Sequence, residues 1–212
     1  MEEARVPANL PTLLELSSAR HSHLCPRQVL GVRIGIAGLA ALGLEAPITK
    51  STGLVIVETD GCFVDGVEVA TEATVGHRTL RVNDYGKIAA TFIDVCGGTA
   101  LRLSPKADAR KRARRFAPEV ASRYAAQLEG YQRLPERELF DFRFVNLTPP
   151  LEILLSRPEL RLNCDACGEE IFNGREIVSG RAIFCQSCAT GGYYVVESHP
   201  VMSLQAASVG SV

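Results

Sequence analysis

Pro26-Arg-Gln-Val-Leu-Gly-Val-Arg-Ile-Gly-Ile-Ala-Gly-Leu-Ala-Ala-Leu42, followed by the strand-like Gly53-Leu-Val-Ile-Val-Glu58, sets the architecture of this 212-residue chain. Proline suits the first turn of a helix, where its missing N–H is not needed. Val29, Val32, Ile36, Leu39, Ala40 and Leu42 carry the helix onward, and Gly43 and Pro47 end it. Gly31, Gly35 and Gly38 recur inside it at nearly fixed intervals. Glycine is a poor helix former, so these positions predict that another backbone packs closely. The apolar run from Ile34 to Leu44 is much shorter than the ~20 residues needed to span a bilayer. It reads as a buried helix.

Asp60-Gly61 predicts a turn and Cys62 to Thr71 a second helix, with Val64, Val67, Glu68 and Thr71 on one stripe and Gly76 as its breaker. Thr79 to Val82 and Lys87 to Asp94 read as two strands joined by a tight Asn83-Asp84-Tyr85-Gly86 turn, a hairpin. A short helix over Pro11 to Ala19 comes first. A helical region broken at Pro118 runs from Pro105 to Tyr131, Pro135 to Leu139 adds a turn, and Phe142 to Leu147 returns to the sheet. This order predicts an α+β fold, an antiparallel or mixed sheet packed with helices. Thr148-Pro149-Pro150 marks a boundary between a core domain (1–150) and a small C-terminal module (158–200). Tyr193 to Val196 is expected to add a strand, and 201–212 a loose tail.

Composition narrows the partners. The chain is 46% hydrophobic and 22% charged, as expected of a domain with a real core. A net charge of −1 argues against general binding to nucleic acid or anionic membrane. Lys106, Arg110, Lys111, Arg112, Arg114 and Arg115 crowd one segment, offset only by Asp108. Such a run reads first as a solvated helix face, and second as a local dock for an acidic partner or nucleic acid. Met1-Glu2-Glu3-Ala4-Arg5 is acidic where a secretory leader is basic. Seven cysteines, an odd number in metal-type spacing, point to a reducing compartment. A cytoplasmic location is expected.

Cys164, Cys167, Cys185 and Cys188 form a C-x2-C-x17-C-x2-C array. Each C-x-x-C turn presents two thiolates from one knuckle, and two knuckles complete a tetrahedral cage for structural Zn2+. A disulfide pair or an iron–sulfur cluster are the competing readings. Four thiolates close the site, leaving no position for chemistry.

A second group lies upstream. His21, His23 and Cys25 alternate, so an extended segment would point all three to one side. Cys25 precedes a predicted helix start, where free N–H groups and the helix dipole favour a thiolate, and Cys62 repeats that arrangement. The four side chains either share a metal or thiol site or meet nowhere, each cysteine then being a small buried hydrophobe. Cys96 is expected to be buried, His77 exposed, and His199 without a recognisable partner.

His21-Ser-His-Leu-Cys-Pro26, the Gly-Val-Arg-x-Gly helix, Glu58-Thr-Asp-Gly-Cys62-x-Val-Asp65-Gly, Thr71-Glu-Ala-Thr-Val-Gly76 and Asp84-Tyr-Gly-Lys87-Ile-Ala89 occur in that order. Together they resemble the formylmethanofuran dehydrogenase FmdE family over about residues 10 to 150. The resemblance implies an α+β core, a homodimer, a His/Cys pocket that can hold a metal, and a companion zinc ribbon. Carried over by motif, His21, His23, Cys25 and Cys62 are its pocket residues and Lys87 its loop lysine. Two positions depart: Ser22 replaces a glycine, and Glu72-Ala73 stands where the family often has Gly-Cys, removing one soft ligand.

The leading expectation is therefore a metal-binding accessory protein. Its pocket would hold a second metal, a metal-linked cofactor or a small ligand in support of a molybdenum- or tungsten-type redox enzyme. A mixed His/Cys set suits zinc, copper or iron. One alternative is a thiol- or metal-dependent enzyme using Cys25 with His21 or His23 as base. The other is a partner-docking ribbon module.

Overall fold

The computed structural model describes residues 9–195. The chain divides into two compact units, Met1–Leu151 and Glu152–Val212. The expected tail and His199 lie outside the described residues.

In the first unit, α1 (Leu10–Ser18) and α2 (Pro26–Leu42) precede β1 (Gly53–Val57) and α3 (Cys62–Thr71). Then come β2 (Leu80–Val82), β3 (Ala90–Asp94) and β4 (Ala100–Pro105), helices α4 (Ala109–Phe116), α5 (Arg123–Arg133) and α6 (Glu136–Leu139), and β5 (Phe140–Phe144). The five strands form one mixed sheet in the order β2-β1-β3-β4-β5, so the fold is α+β. Apolar residues from α2, α3 and the strands, Val32, Ile34, Phe63, Val67, Val57 and Phe92 among them, form the core.

The predicted hairpin does not form. β2 pairs parallel to β1 (Val55 opposite Leu80), while β3 pairs antiparallel to its other edge (Val55 opposite Phe92). The physical reason lies in β1, whose Leu54, Val55 and Val57 are all buried. A strand this apolar takes the centre of the sheet, and both neighbours satisfy their backbone groups against it. The supposed turn wraps the end of β1 instead: Asn83 N–H donates to Val57 O, and the Tyr85 and Lys87 N–H groups both donate to Glu58 O. Strand β4 is not foreseen from the sequence pattern, although its Leu101 and Leu103 are buried and Arg102 between them is not.

Glycines bring α2 and α3 together. A Cβ at Gly31 would sit 2.1 Å from Phe63 O, and one at Gly66 2.4 Å from Gln28 O. Further along, a Cβ at Gly35 would sit 2.6 Å from that of Ala70. The contacts advance in the same direction on both helices, so α2 and α3 run parallel with their N-termini side by side. The fully buried Arg33 then ties α2 to α5. Its guanidinium donates to the carbonyls of Tyr131 (2.6 Å), Gln132 (3.0 Å) and Leu134 (2.8 Å), which end α5. Burial lowers its pKa, against the opposing pull of Glu136.

The second unit contains α7 (Leu151–Leu155, which begins at the division), two hairpins and α8 (Gln186–Thr190). β6 (Arg161–Asn163) pairs with β7 (Glu170–Phe172), and β8 (Ile177–Ser179) with β9 (Ala182–Phe184). Tyr193 to Val195 lie outside any strand, and Val196 lies outside the described residues. Tyr193 to Val195 therefore extend neither hairpin.

Candidate metal and thiol centres

Each hairpin of the second unit feeds one knuckle. Gly168 N–H donates to Cys164 O and Cys164 N–H to Glu169 O, closing the first. Cys185 caps α8, its sulfur accepting from Cys188 N–H (3.4 Å). Asp165 joins the two, accepting from Ile183 N–H at 2.7 Å while its own N–H donates to Ile183 O at 2.8 Å. The four Sγ atoms all lie within 4.8 Å of one another.

That spacing tests the donor set. Thiolates about 2.3 Å from a tetrahedral zinc lie about 3.8 Å apart, and Cys167 and Cys185 Sγ are 3.9 Å apart. A disulfide requires about 2.05 Å, and all four cysteines are free. The set suits a single soft cation. Backbone N–H groups of Cys185, Cys167 and Ala166 push the Cys164 thiol down to about 6. The neighbouring thiols of Cys185 and Cys167 push Cys188 up to about 12. Four thiolates this close need a cation to coexist.

In the first unit, Cys25 is the N-cap of α2 and Cys62 opens α3. Gln28 fixes Cys25: its N–H donates to the sulfur (3.4 Å), its Oε1 accepts from Cys25 N–H (2.8 Å), and its Nε2 donates to Ser17 O (2.8 Å). Because the parallel helices bring their N-termini together, the two thiols come close enough to influence each other. Burial first, and then the neighbouring Cys25 thiol, push the Cys62 thiol up, against its own backbone N–H. The expectation of a thiolate at this helix start is thus reversed for Cys62, because desolvation and a second sulfur outweigh the helix end. Tyr124, at the start of α5, completes the group. Its hydroxyl donates to Leu24 O (3.4 Å), and its pKa is raised by partial desolvation and then by Cys25 and Cys62.

The imidazoles separate. Residues 19–23 form turns and bends rather than an extended run, so the alternation does not align the side chains. His21 Nε2 lies 2.5 Å from Asp65 Oδ2, while His23 Nδ1 faces Ser22 Oγ at 3.0 Å. Lys87 lies over the Tyr85 ring, 6.0 Å from its centroid. Among the described residues, the ribbon thiolates are the one group of three or more ligands gathered within 4.8 Å. Cys96 is exposed, its thiol donating to Ser51 O (3.2 Å). The turn after β3, closed by Gly98 N–H to Asp94 O, lifts it out of the core. His77 is exposed as expected.

Successive turns of α3 meet the segment between α1 and α2 in a row: Cys62 with Cys25, Asp65 with His21, Glu68 with Arg20. Beyond them opens a cleft of about 950 Å³, lined in part by Leu13, Leu16, Val69, Glu72 and His77. Ala73, at the missing-thiol position, is fully buried. Sequence alone does not reveal Tyr124, which lies some 60 residues or more from either cysteine and belongs to no motif. Nor does it reveal the Glu58–Arg102 pair (2.5 and 2.7 Å), which places the carboxylate of the Glu58-Thr-Asp motif in a strand-to-strand bridge.

A family model described as FmdE, Molybdenum formylmethanofuran dehydrogenase operon, matches residues 20–141. The chain belongs to the FmdE family. Family membership and the four-thiolate cage together make it a metal-binding protein of the FmdE type. A protein of Archaeoglobus fulgidus named as a probable S-adenosyl-L-methionine-binding protein is 31% identical over 225 residues, covering 95% of this chain. The chain spans 58% of that relative's length. A crystal structure of a tungsten FmdE-like protein from Syntrophus aciditrophicus superposes with a TM-score of 0.57 at 20% identity. That match covers 92% of this chain and all of the other, a likeness of fold. Among the described residues, no helix is long and apolar enough to cross a membrane.

Proposed function

We propose that this FmdE-family protein is an accessory factor with two metal centres. The ribbon of Cys164, Cys167, Cys185 and Cys188 holds structural zinc. Cys25 and Cys62 form the core of a second, more labile centre that serves a molybdenum- or tungsten-type redox enzyme. The observation that supports this most is the meeting of the two thiols at adjacent helix N-termini, beside His21 and Asp65. Two soft sulfurs favour zinc or copper over magnesium or calcium. A third ligand requires His21 to leave Asp65, or Asp65 itself to turn, so this centre binds more weakly than the ribbon. The missing thiol at Ala73 points the same way. A homodimer belongs to the same reading, and sedimentation of the full chain tests it.

Metal content tests the proposal. About two equivalents per chain, falling to one in a folded Cys25→Ser/Cys62→Ser variant, support it. One equivalent in both forms overturns the second centre. A second reading, that the protein binds S-adenosyl-L-methionine, rests on the relative's name and on the cleft beside α3, whose volume suits a small ligand. Calorimetric titration with that compound decides it: saturable heat lost in Glu72→Lys supports it, and no heat removes it.

A further inference from the structure

We propose that the groove between α4 and α5 binds the oligophosphate moiety of a small ligand, such as a nucleoside diphosphate. This goes beyond the metal-centre reading and does not depend on it. The groove is about 530 Å³ and is lined by Arg110, Lys111, Arg114, Ala121, Arg123, Ala126 and Gln127. Four of the seven lining residues are cations and none is a carboxylate.

Two other cations of these same helices stand beside acids, whereas no acid lines this groove. Arg112, on the same helix, pairs with Asp108 and Glu138, and Arg133 of α5 pairs with Glu119 and Glu129. One groove cation is already anchored to the protein. Arg114 donates to Ala121 O (3.1 Å), and Arg110 pulls down the pKa of Tyr131, against the effect of burial. The helices that carry them are locked, since a Cβ at Gly130 would sit 2.2 Å from Ala113 O. Rows at 110, 111 and 114 and at 123 and 127 therefore face each other across a fixed gap. Cations crowded without counter-charge repel one another, and a compact polyanion relieves that repulsion through charge-assisted hydrogen bonds. Arginine's planar fork suits phosphate oxygens particularly well.

The lining also selects the ligand's size. Its remaining walls are two alanines and a glutamine, with no aromatic ring on which a base could stack. A nucleic acid strand would gain little here beyond its backbone charge, whereas two or three linked phosphates match a short, compact charge array.

The test is calorimetric titration of the full chain with tripolyphosphate and with ADP at low salt. Both are expected to bind, and Lys111→Glu/Arg123→Glu is expected to weaken them about tenfold or more per cation removed. Arg115→Glu/Arg137→Glu makes the same change in net charge outside the groove and is expected to leave affinity within about twofold. Equal weakening in both variants would show diffuse attraction and overturn the proposal, as would no heat with either ligand. Tighter binding of a single-stranded oligonucleotide than of tripolyphosphate, lost in the same groove variant, would also overturn it. All four substituted residues are exposed, and circular dichroism checks that both variants fold.

Discussion

The two cysteine centres of this molecule are built in opposite ways. The ribbon's ligands come from two knuckles, each closed by hydrogen bonds within a few residues, and the knuckles are joined by Asp165. Cys25, Cys62 and Tyr124 come from three helix N-termini separated by up to about a hundred positions, and only packing brings them together. Local geometry makes the first a site by itself. The second is a by-product of how α2 lies on α3, so its geometry is only as good as the contact between Gly31 and Gly66.

Removing the ribbon's metal should give the largest effect. Zinc binding at such a site is worth about 10–16 kcal/mol at neutral pH, so a strong chelator should unfold residues 152–195. Limited proteolysis is expected to cut there while the helical signal of 9–151 persists. Cleavage throughout both units would break the comparison. Next in size is Arg33→Met, which strands three carbonyls at the end of α5 and should cost about 3 kcal/mol or more, read in a urea melt.

Gly31→Ala should cost about 1–3 kcal/mol by overpacking. It should also part the two sulfurs, so that Cys62 alkylates faster than in the parent while ribbon metal content stays unchanged. Unaltered Cys62 reactivity would separate the thiol pair from the helix contact. The smallest effect concerns rates alone. In the parent, exposed Cys96 should alkylate before Cys62, whose thiol is pushed up by burial and by Cys25. Peptide mass spectrometry at neutral pH reads the order. Cys25→Ser removes the sulfur that raises Cys62 and should quicken it.

What the residues disclose follows the same division. The ribbon is legible because its ligands, turns and hairpins all lie within one short stretch, from Arg161 to Cys188. The buried α2 helix and its close neighbour are legible because Gly31 and Gly35 have no other reason to sit in a helix. The strand order is not: the Asn83–Gly86 signal is local, and the apolar demand of β1 at both edges overrides it. β4 is hidden because Arg102, which interrupts its apolar residues, takes its meaning from Glu58 two strands away. The imidazoles are misplaced because alternation implies a common side only in extended backbone, and the segment before Cys25 bends. Tyr124 leaves no trace at all, since nothing near Ser122 in the chain refers to Cys25.

Arg33 makes α5 a lever. It grips the carbonyl end of an 11-residue helix, about 16 Å long, whose opposite end presents Tyr124 to the sulfurs and Arg123 to the cationic groove. A disturbance at that buried guanidinium therefore reaches both places at once, though it touches neither.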